Sequence, residues 1–171
     1  MNEAKRKSWN DQKLDELYPP FCERIRAVIL ELEEAGLRPR IHQAWRSEAD
    51  QLKAFKDGFS QLKYGFHNVT KDHRPEALAV DMVDDDLENH KKTVYGRAEF
   101  LLRLTAAARK QALTTGIDWG LENFPGAVEA IARAITEGDW QAPLKHFGWD
   151  PAHIQPTGIT PEEARAGKRP F

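Results

Sequence analysis

The sequence predicts an α+β fold, a small antiparallel sheet flanked by helices, in a single domain covering residues 1–171. Helical and strand periodicities both occur, yet they do not alternate as a parallel α/β sheet would require. The strand-like stretches LRPRIHQAW, ALAVDMV and AHIQP are short and lie far apart in the chain. With 40% hydrophobic and 30% charged residues, 171 positions are enough for one ordinary core.

From Asn10 to Gly36, apolar Leu14, Leu17, Phe21, Ile25, Val28, Ile29 and Leu32 recur at helical spacing. Pro19 and Pro20 start or interrupt that helix, and Gly36 suits its C-terminal cap. LRPRIHQAW alternates apolar and polar residues and reads as a strand. Ser47 then caps an acidic first turn, so a short helix runs to Lys56 and ends at Gly58. Residues 59–76 read mostly as loop, and ALAVDMV as a buried strand. Further helices are expected over Gly96–Thr115 and Pro125–Glu137, followed by the strand AHIQP and a tail rich in proline and charge.

The net charge of −2 supplies no field that would draw the chain to nucleic acid or an anionic membrane. The single cysteine, Cys22, excludes an intrachain disulfide and a cysteine-based zinc site. Its neighbours PPFCERIRAVIL make it a buried, inert thiol. The N-terminal MNEAKRKSWNDQKLDEL has no apolar run of the secretory kind, and no segment is long enough to span a membrane. Synthesis in the cytoplasm is therefore expected, with no membrane insertion. A substrate beyond the inner membrane would be reached through another protein's pore.

Metal-binding side chains stand beside apolar stretches in three places: His67 in GFHNVT, Asp81 in ALAVDMV, and Asp150 with His153 in FGWDPAHIQ. Asp81 is a charge inside an apolar strand, costly to bury unless paired or bound to a metal. Two imidazoles and a carboxylate suit Zn2+ and leave one position open. Asp150 is spaced to act as a proton-shuttling carboxylate nearby. By spacing alone, six histidines and many acids permit other combinations, including plain hydrogen-bonded loop side chains.

Four blocks narrow the choice: WRSEADQ (45–51), GFSQLKYGFH (58–67), ALAVD (77–81) and DPAH (150–153). In kind and order the chain resembles the D-alanyl-D-alanine carboxypeptidase and L-alanyl-D-glutamate endopeptidase family of zinc peptidases, which includes VanY-like enzymes and phage endolysins. The resemblance runs from Trp45 to Gln155, within a motif-bearing core of about residues 38–157. It implies zinc held by His67, Asp81 and His153, on the sheet. It implies that Asp150 is the general base and acid. Arg46 is implied as the arginine that binds substrate and steadies the oxyanion, with Gln51 and Ser60 supporting it. The plainer alternative for Arg46 is a surface ion pair with Glu48 or Asp50.

The chain departs from the family pattern in three respects. His67 and Asp81 are further apart than in the compact motif, and the insert NVTKDHRPE suggests a hairpin-like loop. That loop contains His73, the rival first ligand. Ala77 replaces the motif glycine, and a helical insertion lies between Gly120 and Trp149.

Asp84, Asp85 and Asp86 read as a solvated acidic turn in preference to a regulatory cation site. His42 reads as structural, His90 as exposed, and His146 as a packing or substrate residue. Trp45, Trp119, Trp140 and Trp149 either line a groove or fill the core.

The function implied is hydrolysis of an amide in peptidoglycan stem peptides by a monomeric, zinc-dependent peptidase of the endolysin type. An L-alanyl-D-glutamate endopeptidase is preferred to a D,D-carboxypeptidase. The alternative is a non-catalytic, zinc-stabilised wall-binding module.

Overall fold

The computed structural model describes residues 1–88, 98–119, 121–140 and 150–171. In chain order the elements are α1 (Glu3–Leu14), α2 (Pro19–Glu34), β1 (Pro39–Gln43), α3 (Glu48–Lys56), β2 (Thr70–Lys71), β3 (Arg74–Pro75), β4 (Val80–Asp84), α4 (Asp85–Glu88), α5 (Ala98–Lys110), β5 (Leu113–Thr115), α6 (Ala127–Glu137), β6 (His153–Pro156) and α7 (Pro161–Arg165). Single turns of 3-10 helix cover Phe66–Asn68, Gly116–Asp118 and Leu121–Asn123. The main sheet has the order β1-β4-β6-β5 with every pair antiparallel, and β2 and β3 form a separate hairpin. The expected α+β class and small antiparallel sheet are both present.

The helix expected from Asn10 to Gly36 is two helices. Pro19 and Pro20 occupy the first turn of α2, where a missing N–H costs nothing. Helix α1 begins well before Asn10, capped by the Asn2 side chain, which accepts from the Lys5 amide. Its polar face has a specific task. The Asn10 carboxamide donates to the Pro39 carbonyl and accepts from the Ile41 amide, while Trp9 Nε1 donates to the Ile41 carbonyl. Buried Arg6 also donates to the Pro39 carbonyl. These side chains satisfy the outer edge of β1, which would otherwise offer unpaired backbone groups to another strand.

Phe21, Ile25, Val28 and Leu32 form one buried stripe along α2. They meet Phe100, Leu101, Leu104 and Ala108 of α5 and the inward residues Ile41, Val80, Met82 and Ile154 of the sheet in one core. Each such fully buried side chain contributes on the order of 1.5–3 kcal/mol. Cys22 is half-buried against this core, and burial pushes its thiol up despite the neighbouring Arg26.

A strand, β5, stands where the end of the 96–115 helix was expected. Ala112 takes a left-handed conformation (φ +55°), which ends the helical run, and Leu113–Thr115 then pair with β6. The start of that expected helix at Gly96, and His90, lie outside the described residues.

The acidic run also differs from its expectation. Asp84 and Asp85 are buried, at 1% and 2% exposure. Asp85 pairs with Arg40 Nε at 3.0 Å and Arg38 Nη2 at 3.0 Å. Burial alone would raise the Asp85 pKa, but Arg38, the terminal amine and Arg40 outweigh it and hold it below the usual carboxylate range. A depressed carboxylate contributes stability that is present above its unfolded pKa and is lost as pH falls through the folded value. Asp85→Asn is therefore expected to destabilise the fold by about 3 kcal/mol at neutral pH, as for a broken buried ion pair. In denaturant melts, its deficit against wild type should shrink below about pH 4. A constant deficit across that range would contradict the assignment.

Candidate metal centre

Strand alternation decides which side chains can meet. Val80, Met82 and Ile154 face the core, so their neighbours Asp81, His153 and Gln155 face the other way. Asp81 and His153 are register partners across β4 and β6. On the far side of β4, Ile41 opposes Met82 and Gln43 opposes Asp81, so His42 is an inserted residue, a β-bulge. The bulge keeps Ile41 in the core and still puts Gln43 in the row of Asp81. His42 itself is exposed on the strand.

The remaining imidazole arrives from the 3-10 turn Phe66–Asn68. Asn68 pins that turn by accepting from the Gly65 amide and donating to the Arg46 carbonyl, while the Arg46 amide donates to the His67 carbonyl. His67 Nε2, Asp81 Oδ1 and His153 Nδ1 then form a triangle with sides of 3.3, 3.0 and 3.3 Å. Among the described residues, these form the one group of three such side chains close enough to share a metal ion. His73 is at the exposed β2–β3 hairpin tip (φ +63°) and takes no part.

The donor set fits a metal on its own chemistry. His67 Nδ1 contacts the Ala44 carbonyl at 2.5 Å. A carbonyl only accepts, so Nδ1 carries a hydrogen and Nε2 is the nitrogen that can give its lone pair to a metal. Zinc bonds of about 2.0–2.1 Å at tetrahedral angles set donor atoms roughly 3.3 Å apart. Without a cation, lone pairs and a carboxylate this close would repel. Burial pushes the Asp81 pKa up, but the His67 charge and hydrogen bonds from His153 and His67 win and hold it well below the usual carboxylate range. For His153, burial pushes the pKa down, and the hydrogen bond and charge of Asp81 more than offset it. Both shifts arise from the same close approach of Asp81 to the two imidazoles.

Asp150 stands beside this triangle, with Oδ2 4.0 Å from His153 Nδ1. Its φ of +56° is a left-handed conformation that aspartate tolerates better than most residues. Burial and the nearby Asp81 charge raise its pKa, against the pull of His153, His67 and Arg46. A raised carboxylate pKa suits a group that takes up and gives back a proton.

Arg46 is not engaged in a surface ion pair with Glu48 or Asp50. Its Nη1 donates to Gln51 Oε1 at 2.9 Å, and its Nη2 donates to Gln43 Oε1. Gln51 is buried and donates in turn to Ser60 Oγ and the Leu62 carbonyl. Ser60 and Gln51 thus form a mount for the guanidinium, whose remaining N–H groups have no hydrogen-bond partner among the described residues.

All the sequence-named residues border one cleft of about 560 Å³: Arg46, Gln51, Ser60, His67, Asp81, Asp150 and His153. Its rim adds Phe59, Leu62, Ile159 and Pro161. Trp119 also lines it, with its ring 5.0 Å from that of His153. Trp45 and Trp140 pack instead against the core, and Arg103 stacks on Trp140. His146 and Trp149 lie outside the described residues. Sequence reasoning did not find Gln43, Asn68 or Gln155. Gln155 was within reach, being two positions beyond His153 in an expected strand and hence on the same face. Gln43 was not, because the bulge shifts its register.

The fold and site therefore define a class: an α+β domain with a His–Asp–His cluster on the polar face of an antiparallel sheet. No protein-family model matches the chain, and no curated protein matches it. Among solved structures it is similar to the L-Ala D-Glu endopeptidase ChiX of Serratia marcescens, with a TM-score of 0.53 over 87% of this chain and 86% of that one. At 17% identity, the likeness is one of fold.

Proposed function

We propose that the protein is a zinc-dependent peptidase of the endolysin type that hydrolyses an amide bond in peptidoglycan stem peptides, acting between L-alanine and D-glutamate in preference to removing terminal D-alanine. The observation that carries this reading is the triangle of three metal-binding donors with Asp150 beside it, on the wall of a cleft that also holds Arg46. The fold shared with an L-Ala D-Glu endopeptidase supports a peptidoglycan peptidase.

In this reading His67 Nε2, Asp81 Oδ1 and His153 Nδ1 hold zinc. The chemistry zinc supplies in such a site is acidification of water, to a pKa of about 7, and polarisation of a carbonyl. Asp150 takes a proton from the attacking water at a carboxylate oxygen. The water oxygen bonds to the carbonyl carbon, and the C–N bond then breaks. Asp150 returns its proton to the leaving amine, so the products are a carboxylic acid and an amine. Arg46, braced by Gln43 and Gln51, directs N–H groups at the charge growing on the carbonyl oxygen.

Digestion of isolated peptidoglycan with zinc-loaded protein, read by mass spectrometry of fragments and new termini, tests this reading. New N-terminal D-glutamate is the expected result. Loss of terminal D-alanine would replace the endopeptidase with a carboxypeptidase. No cleavage of several wall chemistries by zinc-loaded protein would overturn the enzymatic reading.

A further inference from the structure

His153 differs from His67 in how its ring is oriented. The outer nitrogen of His67 meets a backbone carbonyl, which admits a single tautomer. The outer nitrogen of His153, Nε2, meets no backbone group among the described residues; its partner is Gln155 Oε1 at 3.1 Å. Gln155 is two residues on along β6, on the same sheet face, and it lines the cleft. A side chain there need only be tolerant of water to serve the fold. A carboxamide with its oxygen on the imidazole does more, because it accepts the Nε2 hydrogen and so leaves Nδ1, the nitrogen facing Asp81 and His67, as the one to give up its proton to a cation. Trp119 lies against the same ring, which limits its rotation.

We propose that Gln155 is a positioning residue for the capture of a divalent cation: its Oε1 fixes His153 in the Nε2–H tautomer, so that all three donor atoms present lone pairs to one point. This rests on the metal reading above. A neutral acceptor also has a chemical consequence. It orients the ring without adding a second negative charge beside Asp81, so a bound cation keeps more of its pull on a ligand.

Zinc affinity, measured by competition with a chromophoric chelator on wild type, Gln155→Leu and Gln155→Glu, tests the proposal without use of any substrate. Leucine fills similar space but accepts no hydrogen bond, and its dissociation constant for zinc is expected to rise roughly 10–100-fold. Glutamate restores an acceptor and is expected to bind at least as tightly as wild type. Melting curves of the metal-free variants show whether each is folded. If folded Gln155→Leu binds zinc as wild type does, or Gln155→Glu binds as weakly as the leucine variant, Gln155 does not act through its acceptor oxygen. If wild type itself binds no zinc, the metal reading fails and this proposal falls with it.

Discussion

Asp150→Asn is expected to lower kcat on peptidoglycan roughly 10²–10⁴-fold, the usual range for removal of a general acid–base group, with zinc affinity kept. Asparagine is the right replacement because the backbone at this position has φ +56°, a conformation that asparagine also accepts. The carboxamide is close in shape but cannot take a proton from water. Asp150 is also not a member of the donor triangle, from which Oδ2 is set back by 4.0 Å at His153 Nδ1. Turnover and metal affinity should therefore separate. Steady-state kinetics with parallel zinc competition measures both. A wall-binding module without catalysis would show no turnover to lose and unchanged affinity for walls.

His153→Ala is the second large effect, and it strikes metal binding itself. The substitution removes one of three donors and leaves the Asp81 carboxylate without its hydrogen-bonding neighbour. Zinc affinity should fall by more than the roughly 10–100-fold typical of an outer-shell change, and cleavage should become undetectable at stoichiometric zinc. His67→Ala should behave alike. His73→Ala should not, since that side chain sits exposed at a hairpin tip. Equal losses for His67→Ala and His73→Ala, with both variants folded, would contradict the assignment.

Much of the site was legible because its residues break a local pattern. Asp81 interrupts an apolar strand, and strand alternation then obliges it to face away from the core beside His153. Ser47 and Gly58 bound α3 as their chemistry dictates, with Ser47 accepting from the Asp50 amide. What escaped depends on contacts remote in the chain. No local signal marks the bulge at His42 that moves Gln43 into the row of Asp81. Strand β5 is only Leu113–Thr115, and it exists because β6 offers it an edge. The Asp84–Asp86 run looked solvated by composition. The burial of Asp85 follows from Arg38 and Arg40 on the neighbouring strand segment, which sequence alone does not place opposite it. Likewise the polar face of α1 reads as surface until Asn10 and Arg6 are seen to close the edge of β1.

The most direct test of the metal centre is a crystal structure of the protein grown with zinc, with anomalous data collected on both sides of the zinc absorption edge. The account predicts one strong edge-dependent peak bonded to His67 Nε2, Asp81 Oδ1 and His153 Nδ1, with Asp150 outside the coordination sphere. A peak bonded to His73, or no peak within the triangle at saturating zinc, would contradict it.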